Sequence, residues 1–213
     1  QPSEIMKIAV PVIMAWYIAR YQLPPRFKHI IGAAILLAMP CVLILNQPDL
    51  GTSLLIAASG IFVIFLAGLS WKFIASAVVL AVGSLPAAWI FVLREYQKQR
   101  VLTFLNPESD PLGAGWNIIQ SKTAIGSGGL YGKGYLLGTQ SLLVFLSERH
   151  TGFIIAVLSD EFGFVGATVL LGLYILIIIR GMLISVRARD NFCRLLAGSL
   201  TLTFFIYVFV NIG

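Results

Sequence analysis

The sequence predicts an all-α fold: a polytopic integral membrane helical bundle of about six spans with one long outward-facing loop. Apolar residues make up 58% of the 213-residue chain and charged residues only 11%, against about 25% charged in ordinary soluble domains. Between Lys28 and Arg94 only Asp49 and Lys72 carry a charge. That interval is too long for one buried core helix and has room for several crossings of an apolar layer about 30 Å thick. Arg94 to Thr151 is different in kind, with ten charged residues and with eight glycines between Gly113 and Gly138.

The first span is Ile5 to Ala19, opened by Pro2 and Ser3, both good helix-start residues. Trp16 and Tyr17 suit an interfacial aromatic belt. Arg20, Pro24, Pro25, Arg26, Lys28 and His29 then form a short basic turn. Ile30 to Leu45 is the second span and Leu50 to Leu69 the third, separated by Asn46-Gln47-Pro48-Asp49. Trp71 and Lys72 mark an interface, and Phe73 to Leu93 is the fourth span, with a bend expected at Pro86. Residues 94–151 read as one long extracytoplasmic loop inside a single membrane domain, residues 1–213. Phe153 to Ile179 is the next apolar stretch, broken near its start by Asp160 and Glu161, and Phe162 to Ile179 alone is long enough to span. The last span runs from Leu195 onward. Gln1 is not Met, and Gly213 falls inside an apolar run, so the sequence is expected to be part of a longer protein.

Alternating six spans puts the turn at Arg20 to His29, Lys72, and the run Arg180 to Arg194 on one side. Together these carry eight of the fifteen Lys and Arg residues. The excess of basic residues in short cytoplasmic loops makes that side cytoplasmic and the long loop outward, into the periplasm where the cell has two membranes. The net charge of +6 then needs no nucleic-acid partner, and no basic-aromatic nucleic-acid module is present. Cys41 and Cys193 lie in or beside apolar segments and read as packing residues. Glu4, Asp49, the long loop, Asp160 and Glu161 all gather at the outward side, so a site is expected at the outer membrane surface.

Four motifs carry candidate chemistry. Gly126-Ser-Gly-Gly-Leu-Tyr-Gly-Lys-Gly134 fails the Walker pattern, because Ser127 and Gly134 stand where Gly and Ser/Thr are needed. It reads as a re-entrant or surface loop with tight turns, whose N–H groups can meet a phosphate oxygen. Glu4 and Lys7 are three apart and share a helix face, either as an interfacial ion pair or as groups facing a cavity. Gln47 to Ser53 is a tight turn, with Asp49 or Thr52 suited to capping the next helix. Glu148-Arg149-His150-Thr151 places an acid and a base side by side just before a span, and solvated loop charges are the bland reading.

These segments, in this order, resemble the SEDS family (shape, elongation, division and sporulation). The likeness lies in Gln1-Pro2-Ser3-Glu4, Gln47 to Ser53, Asp110 to Gly115, Gln120-Ser121-Lys122, Gly126 to Gly129, Gly132-Lys133-Gly134, Gly138 to Ser141 and Glu148 to Thr151. The rod-shape branch, RodA, is closer than the division branch, FtsW. The resemblance implies an inverting peptidoglycan glycosyltransferase in the bacterial inner membrane. Its substrate would be lipid II on a polyprenyl carrier, and its partners a class B penicillin-binding protein and the elongation machinery. It also admits a divalent cation. It places Glu4, Lys7, Asp49, Lys122, Glu148, Arg149, His150 and Thr151 around the substrate. One departure bears on catalysis. The family motif resembles Phe-Leu-Pro-Glu-Arg-His-Thr-Asp-Phe, and here Phe145 to Phe153 carries Ser147 for the proline and Gly152 for the aspartate. Glycine cannot accept a proton through its side chain, so impaired catalysis is expected. A non-catalytic scaffold for the penicillin-binding protein and a lipid II flippase are the alternatives.

Overall fold

The computed structural model describes residues 2–46, 50–69, 71–91, 95–106, 119, 123, 126–134 and 154–212. Among them are seven helices and no strand: α1 Pro2–Ala19, α2 Phe27–Leu45, α3 Leu50–Leu66, α4 Trp71–Phe91, α5 Glu95–Leu105, α6 Ile154–Arg187 and α7 Asn191–Ile212. All but α5 coincide with the six expected apolar segments. Among the described residues, the helices of 27–45, 158–187 and 191–211 are long and apolar enough to cross a membrane, and α3 is a shorter apolar helix.

Boundaries moved for local reasons. α2 starts at Phe27 rather than Ile30, because nothing after Pro25 interrupts the helix and Lys28 and His29 fit its first turn. The His29 ring stacks on Tyr21 with centroids 3.7 Å apart, which ties the basic turn to the helix it precedes. α3 ends at Leu66, ahead of Gly68, as helices often end next to glycine. α4 remains helical through Pro86. The largest difference is α5, which lies inside the segment expected to be loop. Glu95-Tyr-Gln-Lys-Gln-Arg is rich in good helix formers, and Lys98 pairs with Glu95 one turn away at 2.9 Å.

The chain packs as two compact units, residues 1–78 with 174–211, and residues 79–173. In the first unit α3 packs on both α1 and α2, and α1 on α2. Val10, Met14 and Ile18 recur at four-residue spacing with Ala15 beside them, so one stripe of α1 is buried. Against it lie Ala33 and Leu37 of α2, Ile56 and Val63 of α3, and Leu195 of α7. A Cβ at Gly60 would meet the Leu37 side chain, so the small residue allows close approach, as is usual between helices in lipid. Polar links join the same helices. Ser53 Oγ donates to the Cys41 carbonyl at 3.3 Å, and Ser199 Oγ donates to the Ser59 carbonyl at 3.3 Å. The outer faces remain apolar and exposed, with Met39 at 70% and Val186 at 76%. An apolar exterior over a core that includes buried serines and threonines suits a lipid solvent.

Candidate functional site

The most developed polar construction lies in the second unit, where a glycine-rich turn is built into a broken helix. α6 is interrupted at Gly163, whose φ of 65° and ψ of −161° are not helical. The break falls at this glycine, two residues beyond the Asp160-Glu161 pair that interrupts the apolar run. An intact helix would have the N–H groups of Phe164 and Val165 donate to the carbonyls of Asp160 and Glu161. Here both donate elsewhere, to the Gly129 carbonyl at 2.9 Å and the Leu130 carbonyl at 3.2 Å. The two abandoned carbonyls accept from the loop in return: Lys133 N–H reaches Asp160 at 3.0 Å, and Gly134 N–H reaches Glu161 at 3.0 Å. The turn thereby replaces two lost helical bonds with four between loop and helix, so the backbone groups of Asp160, Glu161, Phe164 and Val165 that the break frees are paired again.

Such a fit demands glycine. A Cβ at Gly128 would strike the Ser159 carbonyl, and one at Gly132 would strike the Glu161 carbonyl. One at Gly163 would strike the Gly132 nitrogen, and the left-handed φ there disfavours any other residue. Gly128 and Gly132 thus serve close backbone approach, and Gly129, Gly132 and Gly134 hold positive φ, in keeping with a tight-turn loop.

Side chains lock the same junction. Asp160 is fully buried, and its Oδ1 receives Lys133 Nζ at 2.8 Å and Ser127 Oγ at 2.9 Å. Lys133 Nζ also donates to Ser127 Oγ at 2.9 Å, closing a triangle. A buried carboxylate is tolerated when it is paired and hydrogen-bonded, and both conditions are met. Asp160 is therefore engaged in holding the junction together. Beside the junction, Tyr131, Leu158, Phe162, Val165 and Leu173 line an apolar groove of about 500 Å³.

In the first unit Lys7 Nζ lies 2.7 Å from Glu4 Oε1, as the three-residue spacing allows. Its side chain is only 16% exposed, against 58% for Glu4. The Lys7 ammonium also lies 5.5 Å from the centroid of the Tyr207 ring on α7, within range of a cation–π attraction. Asp49, Lys122, Glu148, Arg149, His150, Thr151 and Gly152 lie outside the described residues. Among the described residues no three His, Cys, Asp or Glu side chains gather as metal ligands.

Sequence reasoning missed Ser127, Lys133 and Gly163 as one unit with Asp160, and Tyr207 as the neighbour of Lys7. A partial signal existed: two acids at the head of an apolar span need partners, and Lys133 is the lysine of the nearby glycine run.

Apolar exposed helices, small residues at their contacts and a polar junction at a broken helix define an α-helical membrane protein. All of residues 1–213 match the FtsW/RodA/SpoVE family of cell cycle proteins, and the chain belongs to that family. It is 59% identical over 213 residues to the peptidoglycan glycosyltransferase MrdB of Escherichia coli K12, covering 100% of this chain and 58% of that protein. It is 38% identical over 215 residues to a probable peptidoglycan glycosyltransferase FtsW of Trichlorobacter lovleyi, covering 100% of this chain and 56% of that one. With the peptidoglycan glycosyltransferase RodA of Treponema pallidum the identity is 32% over 284 residues, covering 100% and 66%. A solved structure, described as the structural coordination of polymerization and crosslinking by a peptidoglycan synthase complex, superposes with a TM-score of 0.78 at 31% identity. It is covered to 58% of its length, and this chain to 100%. The chain thus spans somewhat over half the length of these relatives.

Proposed function

We propose that this chain carries the membrane core of a RodA-type peptidoglycan glycosyltransferase, impaired in catalysis at Gly152. The observation that supports it most is the match of the whole chain to MrdB at 59% identity. In this reading the protein is multi-pass in the bacterial inner membrane, with residues 94–151 on its outer side. It works on lipid II, which keeps its polyprenyl tail in the bilayer and presents its sugar to the outer loop. Lys and Arg side chains, Lys7, Lys122 and Arg149 among them, offset the charge of the leaving pyrophosphate. Glu4, Asp49, Glu148, His150 and Thr151 shape the surrounding cavity. The attacking sugar hydroxyl needs a carboxylate to take its proton, and positioned general bases contribute about 100- to 10,000-fold. Gly152 stands where the resemblance places that carboxylate, and Asp160 is engaged by Lys133 and Ser127.

A second reading is favoured by Gly152 itself: the same fold acting as a scaffold for a class B penicillin-binding protein and the elongation machinery, without turnover. The test is glycan synthesis from purified lipid II by the full-length protein and by its Gly152→Asp variant, each with the transpeptidase. Polymer from the variant supports the glycosyltransferase reading. Transpeptidase binding with no polymer from either form would leave the scaffold reading in its place.

A further inference from the structure

The basic residues at the C-terminal end of α6 and in the turn to α7 line a pocket that the proposed catalysis does not use. Arg180, Arg187 and Arg189 surround a space of about 450 Å³ whose remaining wall includes Leu183, Ile184 and Cys193. All three arginines are exposed, and among the described residues none has an ion-pair or hydrogen-bond partner. Asp190 also reaches the pocket. Its Oδ2 accepts the Cys193 N–H at 3.1 Å, so this carboxylate is directed at the start of α7. Arg194 is engaged as well, donating to Asn191 Oδ1 at 2.8 Å. The apolar wall belongs to a membrane-length helix, with Leu183 40% and Ile184 52% exposed.

We propose that this pocket binds an anionic phospholipid, with its phosphate between the three guanidinium groups and an acyl chain along Leu183 and Ile184. Guanidinium groups match phosphate oxygens in planar, two-pronged geometry. Basic pockets at the ends of membrane helices take anionic head groups, each Lys or Arg near the surface contributing about fivefold in affinity. The apolar wall selects an amphiphile over a free anion, because inorganic phosphate or a soluble acidic peptide leaves Leu183 and Ile184 uncovered. Zwitterionic lipids bring their own cation against three positive charges and bind less well.

The test is native mass spectrometry of the full-length protein in detergent, titrated with phosphatidylglycerol, phosphatidylcholine or inorganic phosphate. Phosphatidylglycerol is expected to be retained at least about tenfold better than phosphatidylcholine. The triple variant Arg180→Gln/Arg187→Gln/Arg189→Gln should lose that preference, and Arg26→Gln, in the other basic turn, should keep it. If the triple variant fails to insert, each single variant should still weaken phosphatidylglycerol about fivefold. An undiminished preference in the variants, an equal loss in Arg26→Gln, or displacement of the lipid by equimolar inorganic phosphate would each overturn the proposal.

Discussion

Lys133 and Asp160 show how a membrane protein accommodates a charge it has buried. The carboxylate is fully enclosed, so its pairing decides whether the junction holds. Lys133→Met leaves that charge without its cation and should destabilise the protein by about 3 kcal/mol. Asp160→Asn should relieve much of the loss when added to it. A double-mutant cycle by thermal unfolding in detergent measures the coupling, and additive effects would mean that the pair does not act as a unit. The residues concerned are 27 positions apart, a distance at which no periodicity pattern can join them. Glu4 and Lys7 were legible because one helical turn fixes their meeting in advance. Tyr207 beside Lys7 was not, since it depends on how α7 packs against α1.

The elements were legible wherever an apolar run defined them. α1 to α4, α6 and α7 each carry such a run, and lipid burial imposes the helix. α5 has no such run, so it was read as loop although its composition is helix-forming. In α6, Asp160 and Glu161 interrupt the apolar run without themselves breaking the helix. The backbone yields instead at Gly163, the residue without a Cβ to obstruct the turn. Gly163→Ala should therefore dislodge the turn. Hydrogen exchange should speed up at Lys133 and Gly134, which lose their acceptors, while Phe164 and Val165 stay protected by ordinary helical bonds. Equal protection at all four would contradict the bond exchange described. At the other end of α6, the Cys193 N–H hydrogen bond holds the Asp190 carboxyl below the usual carboxylate range. A group with a depressed pKa stabilises the fold above its unfolded value, about 3.9, and loses that contribution as pH falls through its folded value. The melting temperature of Asp190→Ala should thus lie below that of the parent at neutral pH. The two should converge as the solution is acidified below the carboxylate range, and parallel curves at all pH values would argue against the cap.

At the scale of the molecule, family membership and chemistry were legible in different degrees. The ordered glycine and charge motifs run the length of the chain, which is why the resemblance and the match over residues 1–213 agree. In the proposed reading, activity depends on much less, a single carboxylate within reach of one hydroxyl. A misplacement of about 1 Å already costs roughly 100-fold, so a neighbouring acid is a poor substitute, and Asp160 is tied to Lys133. The function proposed above is that of a glycosyltransferase core impaired in catalysis at residue 152. The most direct measurement is the initial rate of glycan polymerisation from lipid II by the full-length parent and its Gly152→Asp variant, matched for membrane expression. The variant should be at least about 100-fold faster than the parent, the range a positioned base supplies. Equal rates in the two would contradict it.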